Sequence, residues 1–197
     1  MIQLRIELEG IEPPIWRRLV VPASIPLDLL HLVIQGAMAW HDTHLHEFEI
    51  GTKRYGMADL DVDFIEPEDE PLDERQHQLG KLVKKGDVFT YVYDFGDNWR
   101  HRITVEEKKR IKGSPDTVIP CCLEGERATP PEDCGGPYSY DEFLAALADP
   151  NHPEHEDTKT WAGPFEPETF SVTQAHSFVM AMYYLNLDRR DQPQALH

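Results

Sequence analysis

Phe89-Thr90-Tyr91-Val92-Tyr93-Asp94-Phe95-Gly96-Asp97-Asn98-Trp99-Arg100-His101-Arg102-Ile103-Thr104-Val105 is the densest run in the chain of aromatic residues mixed with metal- or proton-competent side chains. Phe89, Tyr91, Tyr93 and Phe95 alternate with smaller or polar residues, so they share one face of a strand. Gly96-Asp97-Asn98 is turn chemistry: glycine supplies positive φ, and Asp and Asn tolerate it. Alternation then resumes, with Trp99, His101, Ile103 and Val105 on one face and Arg100, Arg102 and Thr104 on the other. The stretch predicts a β-hairpin that carries Asp94, Asp97 and His101 near its tip. Two carboxylates across a tight turn, with a histidine just beyond, form a candidate ligand site. A capped turn on an aromatic core strand accounts for the same residues without any ligand. The Asp94-Phe95-Gly96 tripeptide also occurs in protein kinases, but no Gly-rich phosphate loop or His-Arg-Asp loop precedes it here.

Upstream of the hairpin, Ile2, Leu4, Ile6 and Leu8 alternate with polar residues and predict a half-buried strand. Gly10 and Pro13-Pro14 end it, and Ile15 to Val21 returns as a second strand. Trp16, Arg17 and Arg18 are candidates for an anion-binding edge, or else solvated strand positions. Pro26 suits the first turn of a helix, and Leu29, Leu30, Val33, Ala37 and Met38 continue a 3.6-residue stripe to Trp40. The run His44-Leu45-His46-Glu47-Phe48-Glu49-Ile50 is expected as a strand with His44 and His46 on one face. Two imidazoles at that spacing can turn toward one ion. Strand-end histidines held by carboxylates are the structural alternative.

From Tyr55 to Glu74 the chain is acidic and has no basic residue. Asp59, Asp61, Asp63 and Glu70 fall on calcium-loop positions, yet Phe64 stands where that loop needs Gly, so a solvated acidic loop is expected. Downstream, Pro130-Pro131-Glu132-Asp133-Cys134-Gly135-Gly136 predicts a rigid loop that holds Glu132 and Asp133 close to another segment. Ser139 to Glu142 and Ser171 to Gln174 are expected capping boxes. The helix after the first should run to Ala148, and the last helix should turn Phe178, Val179, Met182 and Leu185 inward. His152 and His155 lie in an acidic, proline-broken segment, and Trp161 to Pro167 is expected as a loop.

The order of elements predicts an α+β domain with a largely antiparallel sheet, opening strand-strand-helix-strand, over residues 1–187, followed by a flexible tail over 188–197. The opening is analogous to a β-grasp core. At 197 residues and 40% hydrophobic content the chain can bury a core as one domain. No apolar run is long enough to span a bilayer, and no signal-peptide pattern opens the chain, so a cytoplasmic protein is expected. Three cysteines, Cys121, Cys122 and Cys134, fit a reduced compartment better than a disulfide frame. A formal charge of −17 opposes binding to nucleic acid, which depends on neutralising phosphates.

Pro14-Ile15-Trp16-Arg17-Arg18, Trp40 with His44-Leu45-His46 and Phe48, the Tyr91 to His101 run and Pro130 to Gly136 occur together in this order. That set resembles the plasmid pRiA4b ORF-three-like family, also labelled as the passenger "TnpR" protein of an insertion element, from about Gln3 to Leu187. The resemblance implies an α+β domain of plasmids, mobile elements and bacterial chromosomes, and no assigned biochemistry. Its members commonly carry a Cys before the Pro-Pro-Glu-Asp run. Thr129 stands there in this chain, which removes a thiolate ligand from that position.

Three functions are consistent with these residues. The first is a polar pocket for a divalent transition metal or a small anionic ligand, with hydrolysis as one outcome. Its metal ligands would come from His44, His46, Asp94 and Asp97, and its wider set would add Trp16, Arg17, His101, Glu132 and Asp133. The second is a non-enzymatic interaction module, and the third an accessory factor in site-specific recombination. The residue pattern does not decide between catalysis and binding.

Overall fold

The computed structural model describes residues 1–57, 70–110 and 118–190. It contains, among these residues, an eight-stranded sheet flanked by helices, the α+β class expected from the pattern. The chain opens with β1 (Ile2–Leu8) and β2 (Trp16–Val21), followed by α1 (Leu27–Met38). β3 (His46–Ile50), β4 (Lys53–Gly56) and the short β5 (Leu72–Asp73) come next. A 3₁₀ turn (Glu74–Gln76) and α2 (Leu79–Leu82) lead into the central hairpin of β6 (Val88–Tyr93) and β7 (Trp99–Lys108). β8 (Cys121–Glu126), α3 (Gly136–Ala148), α4 (His155–Ala162) and α5 (Val172–Arg190) complete it.

The strand order is β5-β4-β3-β6-β7-β1-β2-β8. Each neighbouring pair is antiparallel except β4 with β5. β1 is flanked by antiparallel partners on both sides, so the β-grasp analogy fails at the parallel pairing it requires. In β1 the period-2 pattern sends Ile2, Leu4, Ile6 and Leu8 into the core. The opposite face carries Gln3, Arg5 and Glu7, which join ion pairs and hydrogen bonds with each other and with Glu106 of β7.

α1 is buried on almost every side, because the sheet covers one face and α5 packs on another. Leu30, Val33 and Ile34 are fully buried, each contributing about 1.5–3 kcal/mol relative to exposure. Gly36 permits the close approach of α5: a Cβ there would lie 2.8 Å from backbone atoms of Phe178 and Val179.

Several expectations change at this stage. β3 begins at His46, so His44 is not on the strand and does not share its face. The cause is local. Asp42 adopts left-handed φ of 59°, and the Thr43 amide is drawn to the Tyr93 hydroxyl at 3.0 Å, which turns the chain before pairing begins at His46 with Tyr93. α3 begins at Gly136, with Gly135 as N-cap and a proline in the first turn, so Ser139 lies inside the helix and does not cap it. The second box holds in part: the Ser171 hydroxyl accepts from the Gln174 amide at 3.3 Å. In α5 it is Ala175 and Val179 that are buried, while Phe178 and Leu185 face outward. α4 occupies a stretch expected to be irregular, and α5 extends to Arg190, past the expected end of the domain. Asp59, Asp61 and Asp63 lie outside the described residues, and Glu70 is exposed. No helix among the described residues is long and apolar enough to cross a membrane.

Candidate functional site

Three loops meet at one end of the sheet: 39–45 after α1, the 94–98 tip of the central hairpin, and 127–135 before α3. Trp40 forms their floor. Its ring stacks on Tyr93 with centroids 5.0 Å apart and meets the edge of His101 at 5.3 Å. Its indole N–H donates to the Pro130 carbonyl at 2.9 Å, tying the third loop to the first.

Glu132 is the main clamp. Its Oε1 accepts from the Tyr93 hydroxyl at 2.5 Å and the Thr43 hydroxyl at 3.2 Å. Its Oε2 accepts from the His41 amide at 3.0 Å and pairs with His41 Nδ1 at 2.7 Å. Burial alone would raise the Glu132 pKa, but the hydrogen bonds from Tyr93, His41 and Thr43 outweigh it and hold the carboxyl below its ordinary value. Burial, and then the bond to Glu132, push the Tyr93 phenol up to about 12, so it stays a donor. Glu132 is therefore an anchored anion with both oxygens engaged. It positions the neighbouring Asp133 and is a poor general base.

Asp94 is placed as tightly. Its φ is 56°, its amide donates to Leu45 O at 2.9 Å, and its Oδ1 accepts from the amides of Gly96 and Asp97 at 2.9 and 3.3 Å. This self-closing turn leaves Oδ2 pointing toward His44. His44 Nε2 lies 3.6 Å from Asp94 Oδ2 and 3.2 Å from Asp133 Oδ1. That nitrogen is sealed from solvent and makes a hydrogen bond with neither. His44, Asp94 and Asp133 each present one ligand atom within 4.8 Å of the others. Asp133 is also left-handed, at φ 61°, so both carboxylates sit on non-glycine residues in a sparsely populated conformation.

A second cluster lies deeper. The rings of His31 and His46 are parallel, with centroids 3.4 Å apart. His31 Nε2 pairs with Asp42 Oδ1 at 2.7 Å and Nδ1 with the Tyr91 hydroxyl at 2.7 Å. His46 Nε2 pairs with Glu74 Oε2 at 2.8 Å, and both of these side chains are buried. Burial, with the neighbouring His46, drops the His31 pKa to about 4, so the ring is neutral. His31, Asp42 and His46 also offer ligand atoms within 4.8 Å of one another.

The expected set of His44, His46, Asp94 and Asp97 is therefore divided. His44 and Asp94 converge with Asp133, while His46 belongs to the inner cluster. Asp97 accepts from the Gly135 amide at 3.1 Å and stitches α3 to the hairpin. The junction is so close that a Cβ on Gly136 would stand 2.2 Å from the Asp97 carbonyl oxygen. His101 is wholly buried, its Nδ1 held by the Trp99 and Tyr91 carbonyls at 3.1 and 3.3 Å, and burial drops its pKa to about 4. It is a neutral core residue.

The anion-binding edge is overturned. Arg17 is 2% exposed, and all five of its N–H groups are used. They reach Ala37 O, Trp16 O, Glu126 O, Arg127 O and Thr129 Oγ1 at 2.8–3.0 Å. Arg18 pairs with Glu106 at 2.7 Å and with Glu124. Trp16 donates to Glu126 at 3.1 Å and lies under Arg5 at 4.1 Å. A strand can place an arginine on its inner face when enough carbonyls converge there, and strand periodicity does not reveal that convergence.

His31, His41, Asp42 and Glu74 were missed. For His31 a signal existed: it falls on the inward stripe with Leu27 and Ile34, and a polar residue there needs a buried partner. Two clefts adjoin the outer cluster. One, of about 450 Å³, is lined by Trp40, His41, Pro131, Glu132, Phe165 and Phe170, and the other, of about 550 Å³, by Asp133, Tyr138, Glu142, Phe143, Asp157 and Trp161.

The family model of plasmid pRiA4b ORF-3-like proteins matches residues 1–174. The chain is 40% identical over 165 residues to an uncharacterised protein of Sinorhizobium fredii, y4hQ, covering 83% of this chain and 81% of that one. It is similar to the crystal structure of a protein of unknown function, MM3350, from Methanosarcina mazei Go1. That likeness has a TM-score of 0.74 at 36% identity, over 87% of this chain and 95% of the other.

Proposed function

This chain belongs to the plasmid pRiA4b ORF-3-like family, and from the geometry above we propose that it binds a divalent transition-metal ion through His44, Asp94 and Asp133. The observation that carries this reading is the His44 Nε2 atom. It is buried and lacks a hydrogen bond, yet it is flanked by two carboxylate oxygens at 3.2 and 3.6 Å. Metal–ligand bonds of about 2.0–2.2 Å put neighbouring donor atoms roughly 3.0–3.6 Å apart. One imidazole with two carboxylates suits a zinc-, manganese- or iron-like ion better than calcium, which prefers an all-oxygen shell.

Three protein ligands leave coordination positions open. An ion held so can lower the pKa of a bound water and polarise an ester or phosphoryl oxygen, which makes hydrolysis the reaction class this site is fitted for. Glu132 serves as a positioning residue by fixing loops 39–45 and 127–135 against each other. Protein purified without a His-tag and stripped by chelation should take up manganese or zinc in calorimetry. Asp94→Asn should remove this ion while the fold persists, since an amide oxygen can still accept from Gly96 and Asp97 and Asn tolerates the same φ. His44→Ala should do the same. An unchanged isotherm in both variants overturns the reading. Glu132→Gln should weaken the ion roughly 10–100-fold, as loss of an outer positioning partner does.

One observation favours a second reading, the interaction module. Tyr138 is 97% exposed and Trp161 52% exposed, and both line the cleft beside Asp133. A recombination accessory role, as the "TnpR" label implies, requires a basic face, and the charge of −17 opposes it.

A further inference from the structure

We propose that the inner cluster is a second metal site, in which a zinc- or iron(II)-like ion is held by His46 Nδ1, His31 Nε2 and the Asp42 carboxylate. The argument starts from His46. Glu74 occupies its Nε2 at 2.8 Å, and a carboxylate acceptor fixes the N–H on that nitrogen. Nδ1 is then a bare lone pair. It is buried, it has no hydrogen-bond partner, and its side chain is 4% exposed. A buried acceptor with nothing to accept is unfavourable, and this one lies in a group with His31 and Asp42 whose ligand atoms are within 4.8 Å of one another.

The surrounding groups have the form of a metal site. Histidine ligands are typically oriented by a carboxylate or another acceptor on the second ring nitrogen. Glu74 supplies that partner to His46, and the second nitrogen of His31 faces the Tyr91 hydroxyl at 2.7 Å, whose oxygen also accepts from the Gln35 amide at 3.0 Å. Asp42 contributes the charge. It is the third carboxylate in the two clusters to sit on a left-handed residue, and the Gln35 side chain receives its amide at 3.0 Å. Two imidazoles and one carboxylate suit zinc or iron(II).

The structure as it stands lacks the final geometry. The rings are parallel at 3.4 Å, so a shared ion must tilt them out of the stack and replace the contact between His31 Nε2 and Asp42. In that exchange the His31 ring proton passes from Nε2 to Nδ1, and the Tyr91 hydroxyl must turn its own hydrogen away so that its oxygen accepts.

Cobalt(II) titration of the chelator-stripped full chain tests this apart from the outer site. Wild-type protein should bind two equivalents, the Asp94→Asn variant one, and the Asp94→Asn, His46→Gln double variant none. Glutamine at 46 can still donate to Glu74. If Asp94→Asn binds no cobalt, or if His46→Gln leaves the wild-type stoichiometry unchanged, the inner site is overturned and the outer one stands on its own result. Should His46→Gln fail to fold, imidazole ¹⁵N spectra of the wild-type protein decide. Zinc should shift His46 Nδ1 and His31 Nε2, and unmoved resonances at two equivalents overturn the proposal.

Discussion

Replacing Arg17 by Met should destabilise the protein by about 3 kcal/mol. Five buried or half-buried acceptors lose their donors: four main-chain carbonyls and the Thr129 hydroxyl. Unsatisfied groups cost about 1–3 kcal/mol each, and the lower end applies here because the adjoining cleft of about 450 Å³ can admit water. Loss of the guanidinium over the Phe170 ring, 4.1 Å from its centroid, adds roughly 1 kcal/mol. Against this, Met needs no dehydration of a charge. Burial lowers the Arg17 pKa from 12.5 to about 10, so about 3 kcal/mol of that cost is recovered. The net effect is a large share of the 5–15 kcal/mol typical of a domain. With a urea slope of about 2 kcal/mol/M, the midpoint should fall by roughly 1.5 M. Arg17→Lys should fare little better, because an ammonium has three donors for five acceptors. Urea denaturation followed by tryptophan fluorescence checks both variants. A midpoint shift below about 0.4 M refutes the tie. So does protection of the wild-type protein by millimolar phosphate that Arg17→Met abolishes, because that would return Arg17 to an anion site.

The buried His101 makes stability depend on acid. Its folded pKa of about 4 lies below the ordinary 6.5, so the unfolded chain binds the proton first as pH falls. The stabilisation is full above pH about 6.5 and is lost toward pH 4, on the order of 3 kcal/mol. His101→Phe should lessen the loss without abolishing it, because His31 carries a similar shift, and equal pH slopes in wild type and variant would refute it. Ser171→Ala should cost about 0.5–2 kcal/mol as a lost N-cap, whereas Ser139→Ala, inside α3, should stay within about 0.5 kcal/mol. Equal effects in chemical denaturation would contradict that assignment. Duplex DNA should not bind detectably at physiological salt, and micromolar, salt-sensitive binding in a mobility assay would reverse the charge argument.

Elements whose signal is local were legible in the order of residues alone. Alternation in β1, β2, β6 and β7 and the stripe of α1 depend on which residues face inward, and a strand or helix period states that directly. The Gly96-Asp97-Asn98 tip and the rigid Pro130-Pro131 loop were legible because turn chemistry is a property of single residues. Which side chains meet depends instead on packing between distant segments. His44 leaves β3 because Tyr93 and Glu132, 50 and 89 residues from Thr43, capture loop 39–45. Arg17 is spent on carbonyls from α1 and from the segment after β8, which no pattern in β2 announces. The inner pair joins a helix residue, His31, to a strand residue, His46, with Glu74 arriving from a turn 28 residues further on. Such convergence depends on sheet order and loop closure. Residues that meet across the 39–45, 94–98 and 127–135 loops acquire their chemistry only when β3, β6 and α3 are already in place.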